Sequence, residues 1–203
     1  GQISVSNGIV YAAAISSYVR GGFATADVRN PTNPVVIAGS AIVQPFIGPG
    51  TAIVPNGSGL GLLVGRPSGI SQHLVDVMNL ADPANTNSLV TRFNLPAAPS
   101  NVSIASGIGY IADGTGGLSV VNYVSFDNQR QAPVVTAVGP AGTDIQEGSF
   151  VTIRPTVTDD IQVRNVELLM NGVVVANDVA APWDLQAVAP ALSAGDNTVT
   201  FQV

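Results

Sequence analysis

Short apolar runs broken by Gly, Asn and Pro recur along the first part of the chain, with a period near fifty residues. Within these runs hydrophobic and polar positions alternate, or apolar residues follow one another over a few positions, and both patterns are typical of β-strands. The dipeptides Asn7-Gly8 and Asn56-Gly57 favour tight hairpin turns, and Ser106-Gly107 holds the corresponding place in a third unit. The pattern predicts three consecutive units of short antiparallel strands.

The third unit is shorter than the other two. The predicted strands cover, in chain order, residues 3–6, 9–11, 22–26, 34–38, 51–54, 60–64, 73–77, 89–93, 101–104, 110–112 and 118–124. Repeats of this length built from four short strands are typical of β-propeller blades. Because the third unit has three strands, we expect the last blade to be incomplete, and we expect further blades upstream of Gly1. No window keeps a helical period, so no helices are predicted.

Three positions recur at the ends of comparable apolar runs: Asp27, Asp76 and Asn122, at intervals of 49 and 46 residues. The runs Tyr110–Asp113 and Gly117–Asn122, together with Ala26–Pro34, resemble the LVIVD-repeat family of bacterial β-propeller proteins. The resemblance covers about residues 1–125 and implies about three propeller blades within residues 1–126.

The sequence pattern changes after a polar stretch at residues 127–132. We interpret this stretch as a linker. The runs that follow resemble a bacterial immunoglobulin-like domain of the kind found in surface proteins and secreted hydrolases; they are Ala132–Val135, Thr158–Asp160, Val166–Leu168, Asn171-Gly172 and Ala194–Thr198. The resemblance implies a β-sandwich over residues 133–203. In such domains another short strand follows the one containing Phe201, so we expect this piece to lack its last strand or to receive it from a partner. The predicted fold is all-β, a partial β-propeller followed by an immunoglobulin-like β-sandwich.

Composition narrows the function classes. Hydrophobic residues make up 46% of the chain, charged residues 10%, and the net charge is −6, with no Lys and no Cys. Nucleic-acid binding needs clustered basic residues, so it is excluded. The missing Cys excludes disulfides and thiolate metal sites, and the missing Lys excludes a Schiff base or a P-loop. No apolar run approaches the ~20 residues of a membrane-spanning helix. A polar surface of Ser, Thr, Asn and Gln is typical of extracellular bacterial proteins, so we expect an extracellular or cell-surface location.

Acidic residues are the first candidates for chemistry. Asp27, Asp76 and Asp113 could form the carboxylate pair of a glycosidase. However, acidic residues recur from unit to unit beside turns, which favours a structural role instead. In that role the Asp side chain accepts hydrogen bonds from backbone amides of the turn. Asp159 and Asp160 are predicted to bind calcium with help from Asp144 or Glu147, because calcium takes oxygen ligands.

The remaining candidates are weaker. His73 is the single histidine, and a metal site or a catalytic triad would need further ligands or partners. The run Gly59–Gly65 resembles a dinucleotide loop, but Arg66-Pro67 would break the helix that such a loop requires, so a hairpin is predicted. A sugar-stacking platform could be built from aromatic residues, although core or loop packing is favoured for them; they are Tyr18, Phe46, Tyr123 and Trp183.

Taken together, the sequence predicts a non-enzymatic extracellular structural or adhesive module, part of a larger bacterial surface protein or polymeric assembly. Its partners would be other protein subunits or cell-surface components, and it would self-assemble through strand addition at open sheet edges. No cofactor is expected besides calcium. The alternative is a carbohydrate or cell-wall binding accessory module of a secreted enzyme. A third hypothesis is a hydrolase whose active site lies in blades outside this sequence.

Overall fold

The computed structural model describes residues 1–13, 22–38, 50–66, 71–124, 129–136, 139, 144–192 and 199–203. Within these residues the chain is all-β, as predicted, and its only helical element is a 3-10 turn at Gly114–Gly116. No helix in the described part of the chain has the length and apolar character needed to cross a membrane.

The strands of the first part follow the predicted runs closely. They are β1 (Ile3–Ser6), β2 (Ile9–Ala13), β3 (Phe23–Asp27), β4 (Val35–Ala38), β5 (Ala52–Pro55), β6 (Leu60–Gly65), β7 (His73–Asn79), β8 (Leu89–Leu95), β9 (Asn101–Ala105), β10 (Ile108–Ala112) and β11 (Leu118–Val121). The later strands are β12 (Val134–Thr136), β13 (Phe150–Ile153), β14 (Thr156–Thr158), β15 (Val166–Met170), β16 (Val173–Asp178), β17 (Leu185–Val188) and β18 (Phe201–Gln202).

The first eleven strands form three antiparallel sheets in succession. Sheet A has the order β1-β2-β3-β4, sheet B the order β5-β6-β7-β8, and sheet C the order β11-β10-β9. In each sheet consecutive strands pair, so every connection is short. The described residues thus form small open sheets, none of which closes on itself.

The strand register corrects one equivalence expected from the sequence. Asp27 pairs with Ile9, the first residue of β2, whereas the residue that pairs with Leu60, the first residue of β6, is Asn79. Asn79 therefore holds the repeat position of Asp27, and the equivalence of Asp27 with Asp76 is wrong. The physical reason is strand length, because β3 ends at its Asp while β7 continues for three residues beyond Asp76.

Sheets A and B stack face to face. Tyr11 and Phe23 of sheet A pack in one buried cluster with Ile53, Leu63 and other apolar residues of sheet B. The Ser4 hydroxyl donates a hydrogen bond to the Ile53 carbonyl at 2.7 Å, which joins β1 to β5, the first strands of the two sheets. Sheet A therefore covers one face of sheet B.

Sheet C covers the other face of sheet B. The cluster between them contains Leu62, Val64, Val75 and Val77 of sheet B together with sheet C residues such as Ile104. With both faces covered, β6 is buried along nearly its whole length. This explains why its sequence is an unbroken apolar run rather than an alternating one.

The later strands form three small sheets around a separate core. Sheet D is β12-β14, sheet E is β13-β17, and sheet F is β16-β15-β18. Their core consists of buried apolar residues that include Val151, Val157, Leu168, Trp183 and Leu185. Within the described residues no sheet combines strands from both parts of the chain. The linker at residues 127–132 and the exact domain limits stay predictions.

The two parts touch through hairpin turns of sheets B and C. The Val163 amide donates to the Ser58 hydroxyl at 3.2 Å, and the Ser106 amide donates to the Val179 carbonyl at 2.9 Å. A side chain at Gly57 would come within 2.8 Å of the Ala181 methyl group. The close approach at this turn therefore requires glycine, which also has a positive φ of 83° there.

Candidate functional site

A groove with a volume of about 620 Å³ opens in the later part of the chain, between sheets D and F. Three of its lining residues, Val157, Val163 and Val166, belong to the buried core. Pro133 and Val135 line the groove on the side formed by β12. The groove therefore lies directly over part of this buried core, at the side of the molecule.

The groove also carries polar groups of both charges. Its polar lining residues are Gln131, Asp159, Gln162, Arg164, Asn165 and Glu167. Apolar and polar lining residues together are suited to a peptide-like ligand, because a peptide has apolar side chains as well as polar backbone groups.

The edge of β15 runs along this groove. β18 pairs with β15 at only two of its positions, the residues Leu169–Met170, through Phe201–Gln202. Val166 and Glu167 pair with β16 on the other side, and the described residues place no strand against these two residues on the groove side. A strand edge of this kind offers backbone N–H and C=O groups to an incoming strand.

The wall of the groove is shaped by a turn at Asp159. Its Oδ1 atom accepts hydrogen bonds from the backbone amides of Ile161 and Gln162, at 3.0 and 2.9 Å. The turn directs the chain from β14 toward Val163, whose amide is bound to Ser58 of sheet B. One wall of the groove is thus fixed both by its own turn and by the neighbouring sheet.

Asp27 is the last residue of β3 and caps the surface turn that follows it. Its Oδ1 atom accepts a hydrogen bond from the Arg29 backbone amide at 2.9 Å, and its carboxylate also forms an ion pair with the Arg29 guanidinium. The Arg29 side-chain and backbone hydrogen bonds lower the pKa of Asp27 to about 2. This is the turn-capping role favoured by the sequence.

Asp76 has a different environment. It lies in the middle of β7, fully buried, and faces Arg92 of β8 in the register. Arg92 Nε is 2.6 Å from Asp76 Oδ1, and Arg92 Nη2 is 2.7 Å from Oδ2, so the pair is bidentate. Burial raises the pKa of Asp76, and the Arg92 hydrogen bonds oppose this effect. The carboxylate is a structural group between sheets A and B rather than a turn cap.

The other single candidates also lie in structural positions. Asp113 is buried and accepts a hydrogen bond from the Ser119 hydroxyl at 2.9 Å. His73 begins β7 opposite Leu95, half-buried. The Gly59–Gly65 run forms the turn into β6 and β6 itself, which is the predicted hairpin. The structure does not bring the three candidate acids together.

The calcium candidates are not assembled into a cluster. Across the described ranges no group of three or more acidic, His or Cys side chains could hold a metal ion. Asp159 caps the turn described above. The Glu147 carboxylate accepts a hydrogen bond from the backbone amide of Leu192 at 3.0 Å. Calcium binding at Asp159 and Asp160 stays a prediction.

The aromatic candidates lie in separate places. Tyr123 is buried in the cluster between sheets B and C, where burial raises its pKa to about 12. Trp183 is buried in the core of the later part, beside Gly57 of sheet B. Tyr18 and Phe46 lie outside the described residues. Tyr123 and Trp183 therefore present no shared platform for a sugar ring.

Comparisons with known proteins bear on the part of the chain that contains the groove. Residues 133–200 match the model of a family described as a bacterial Ig domain. Searches of curated proteins and of solved structures give no match. The matched range includes β12 to β17, and so includes most of the groove.

The Asp76–Arg92 pair yields a first testable prediction. Arg92→Met leaves a buried carboxylate without its partner, and we expect the free energy of unfolding to fall by about 3 kcal/mol. The double variant Asp76→Val/Arg92→Met should regain most of this loss, because no buried charge remains. Urea unfolding measures both values. Arg29→Met, at the surface pair, serves as the control and should change stability far less. A double variant no more stable than Arg92→Met would contradict the assignment.

The turn at Asp159 gives a second prediction. Asp159→Ala removes the acceptor of two backbone amides and should lower the free energy of unfolding by about 1 kcal/mol. Asp159→Asn keeps an Oδ1 acceptor and should stay near the wild type. Thermal melts with calcium and with EDTA then test the metal prediction, because a bound ion raises the melting temperature of the protein that holds it. Equal melting temperatures for the wild type in both conditions would eliminate the calcium site.

Proposed function

We propose that this chain is a non-enzymatic structural or adhesive module of a larger bacterial surface protein, located outside the cell. The match of residues 133–200 to a bacterial Ig domain supports a surface or adhesive module. The observation that carries the proposal is the β15 edge beside an open groove. The mechanism is strand addition, in which a strand from a neighbouring subunit pairs with this edge.

The register defines how that strand would lie. β18 runs antiparallel to β15, and its register places Val203 opposite Leu168. A strand that continues this line would pair with Glu167 and Val166 in turn. Alternate side chains of a strand point to opposite faces. Every second side chain would therefore enter the groove, whose exposed apolar lining includes Val135. The expected ligand is an extended segment with an apolar residue at every second position.

We also propose that residues 1–126 belong to a β-propeller of the LVIVD-repeat type. Three meander sheets that stack in chain order support this arrangement. The Ser4–Ile53 hydrogen bond joins the first strands of sheets A and B, which are the strands expected nearest the axis of a propeller. In this arrangement the sheets act as a scaffold. Their turns at Ser58 and Ser106 hold the sandwich and its groove in place.

The absence of enzymatic activity is part of the proposal. Asp27 and Asp76 are each paired with an arginine, and Asp113 accepts a serine hydroxyl. Each of the three carboxylates thus has at least one hydrogen-bond partner within the fold, and for Asp113 this partner is at Oδ2. Asp27 caps a surface turn, whereas Asp76 and Asp113 are buried in different sheets. We therefore assign none of them to the carboxylate pair that glycoside hydrolysis requires.

A fluorescently labelled peptide of seven alternating valine and threonine residues serves as the probe for strand addition at the groove. We expect fluorescence anisotropy to detect binding to the whole chain. Val135→Lys puts a charge on the apolar lining and should weaken binding about tenfold or more, because burying an unpaired charge is costly. Val188→Lys is the matched control, since Val188 is similarly exposed, at 48% against 41%, but lies in sheet E away from the groove.

Hydrogen exchange locates the bound peptide. Backbone amides of Val166 and Glu167 should become slower to exchange when the peptide is added, while amides of β8 in sheet B should not change. Absence of binding at millimolar peptide, or equal binding by the Val135→Lys variant, would contradict the proposed function.

A further inference from the structure

A cavity separate from the groove lies where the first hairpin turns of sheets A and B meet the later part of the chain. Its volume is about 370 Å³. The turn after β1 lines it with Ser6 and Asn7, and the turn after β5 lines it with residues 57–60. The loop after β7 contributes Leu80, and β14 of the later part contributes Thr158. We call this cavity the junction pocket. Ligand sites occur preferentially at such boundaries between parts of a protein.

The junction pocket reaches the apolar cluster between sheets A and B. Tyr11 and Leu80 belong to this cluster and are 6% and 5% exposed, and Ile9 packs against it. All three residues also line the pocket. The apolar part of the pocket is therefore held in place by the packing of the two sheets.

Hydrogen bonds within the fold fix the wall that sheet B contributes. Asn56 Oδ1 accepts hydrogen bonds from the backbone amides of Ser58 and Leu60, at 2.8 and 3.0 Å. The Gly59 carbonyl accepts a hydrogen bond from the Leu80 amide at 2.7 Å, which ties the turn to the loop after β7. A ligand would thus meet a preformed site, and preorganisation reduces the free-energy cost of binding.

The lining of the junction pocket determines the charge of its ligand. None of the described residues that line it is charged. The groove beside β15 differs, since Asp159, Arg164 and Glu167 line it. A charged ligand would lose hydration in the junction pocket without meeting an opposite charge, and burial of an unpaired charge is costly. The expected ligand is therefore uncharged.

Hydroxyl groups dominate the polar side chains of the junction pocket. These side chains are Ser6, Asn7, Tyr11, Ser58 and Thr158. A hydroxyl group both donates and accepts hydrogen bonds, so it can pair with a ligand hydroxyl in either sense. The Ser58 oxygen already accepts a hydrogen bond from a backbone amide of the later part, which leaves its O–H to donate. The polar lining is therefore matched to a ligand that carries several hydroxyl groups.

Apolar side chains occupy the same space, among them Ile9, Leu60 and Leu80. A fitting ligand must therefore present carbon-bound hydrogen surface as well as hydroxyl groups. A neutral sugar does both, because its ring has C–H groups on its faces and hydroxyl groups around its rim. The volume lies at the lower end of the roughly 300–1,000 Å³ of small-molecule sites, which favours a ligand of one or two rings.

We propose that the junction pocket binds one or two rings of a neutral sugar. The sugar hydroxyls pair with Ser6 and Ser58, and the apolar face of a ring lies on Ile9 and Leu80. This site differs from the aromatic platform considered for Tyr123 and Trp183, because neither of these residues lines it. It also uses no residue of the β15 edge, so it does not depend on strand addition.

Isothermal titration calorimetry with cellobiose and with maltose tests the ligand class. We expect at least one of these neutral disaccharides to bind the whole chain with a dissociation constant in the millimolar range or below. The same disaccharide with one hydroxymethyl group oxidised to a carboxylate should bind about tenfold more weakly or worse, because the pocket offers no opposite charge.

Two alanines of one loop provide a matched pair of variants. Ala81 and Ala84 are both exposed, and only Ala81 lines the junction pocket. Ala81→Phe fills the pocket and should abolish sugar binding, whereas Ala84→Phe should leave it unchanged. Ser6→Ala removes one hydroxyl and should weaken binding about threefold to tenfold. Melting temperatures without sugar show whether each variant is folded.

Amide chemical shifts locate the bound sugar. The amides of Asn7, Gly59 and Thr158 should shift during the titration, while that of Glu167 at the groove should not. The Val135→Lys groove variant should bind the sugar as the wild type does, which separates this site from strand addition. No binding of either disaccharide at millimolar concentration, equal or tighter binding of the carboxylate derivative, or unchanged binding by Ala81→Phe would overturn the proposal.

Discussion

Face-to-face burial of apolar side chains between consecutive sheets is the interaction on which the rest of the chain depends. Small sheets of short strands depend for their stability on an apolar face that packs against a neighbour. Sheet B is covered on both sides, and its buried residues belong to the two clusters that join it to sheets A and C. The same packing fixes the turns at Ser58 and Ser106, which contact the later part of the chain. Through Val163, one wall of the candidate groove is therefore held against sheet B.

The strands could be predicted from the sequence because their signals are local. Alternating apolar positions and dipeptides such as Asn7-Gly8 specify a hairpin within about ten residues of chain. The equivalence of Asp27 and Asp76 failed because it was based on a short motif, whereas true equivalence is set by pairing across strands of unequal length. The role of Asp76 was missed for the same reason, since its partner Arg92 becomes a neighbour only through the β7–β8 register.

The groove could not be predicted from the sequence. Its lining joins residues near Pro133, Val157, Val166 and Val203, which come together only when sheets D and F pack. The burial of Tyr123 and Trp183 could not be predicted either, because each side chain is buried by residues far away in the chain.

A double-mutant cycle across sheets B and C tests the stacking most directly. Leu62 in β6 and Ile104 in β9 belong to one buried cluster. Each change to Ala should lower the free energy of unfolding by about 2–5 kcal/mol. If the two sheets stack through these side chains, the double variant should lose less than the sum, with a coupling of about 1 kcal/mol or more. Additive losses, within about 0.3 kcal/mol, would show that the two side chains do not share an interface and would contradict the stack itself.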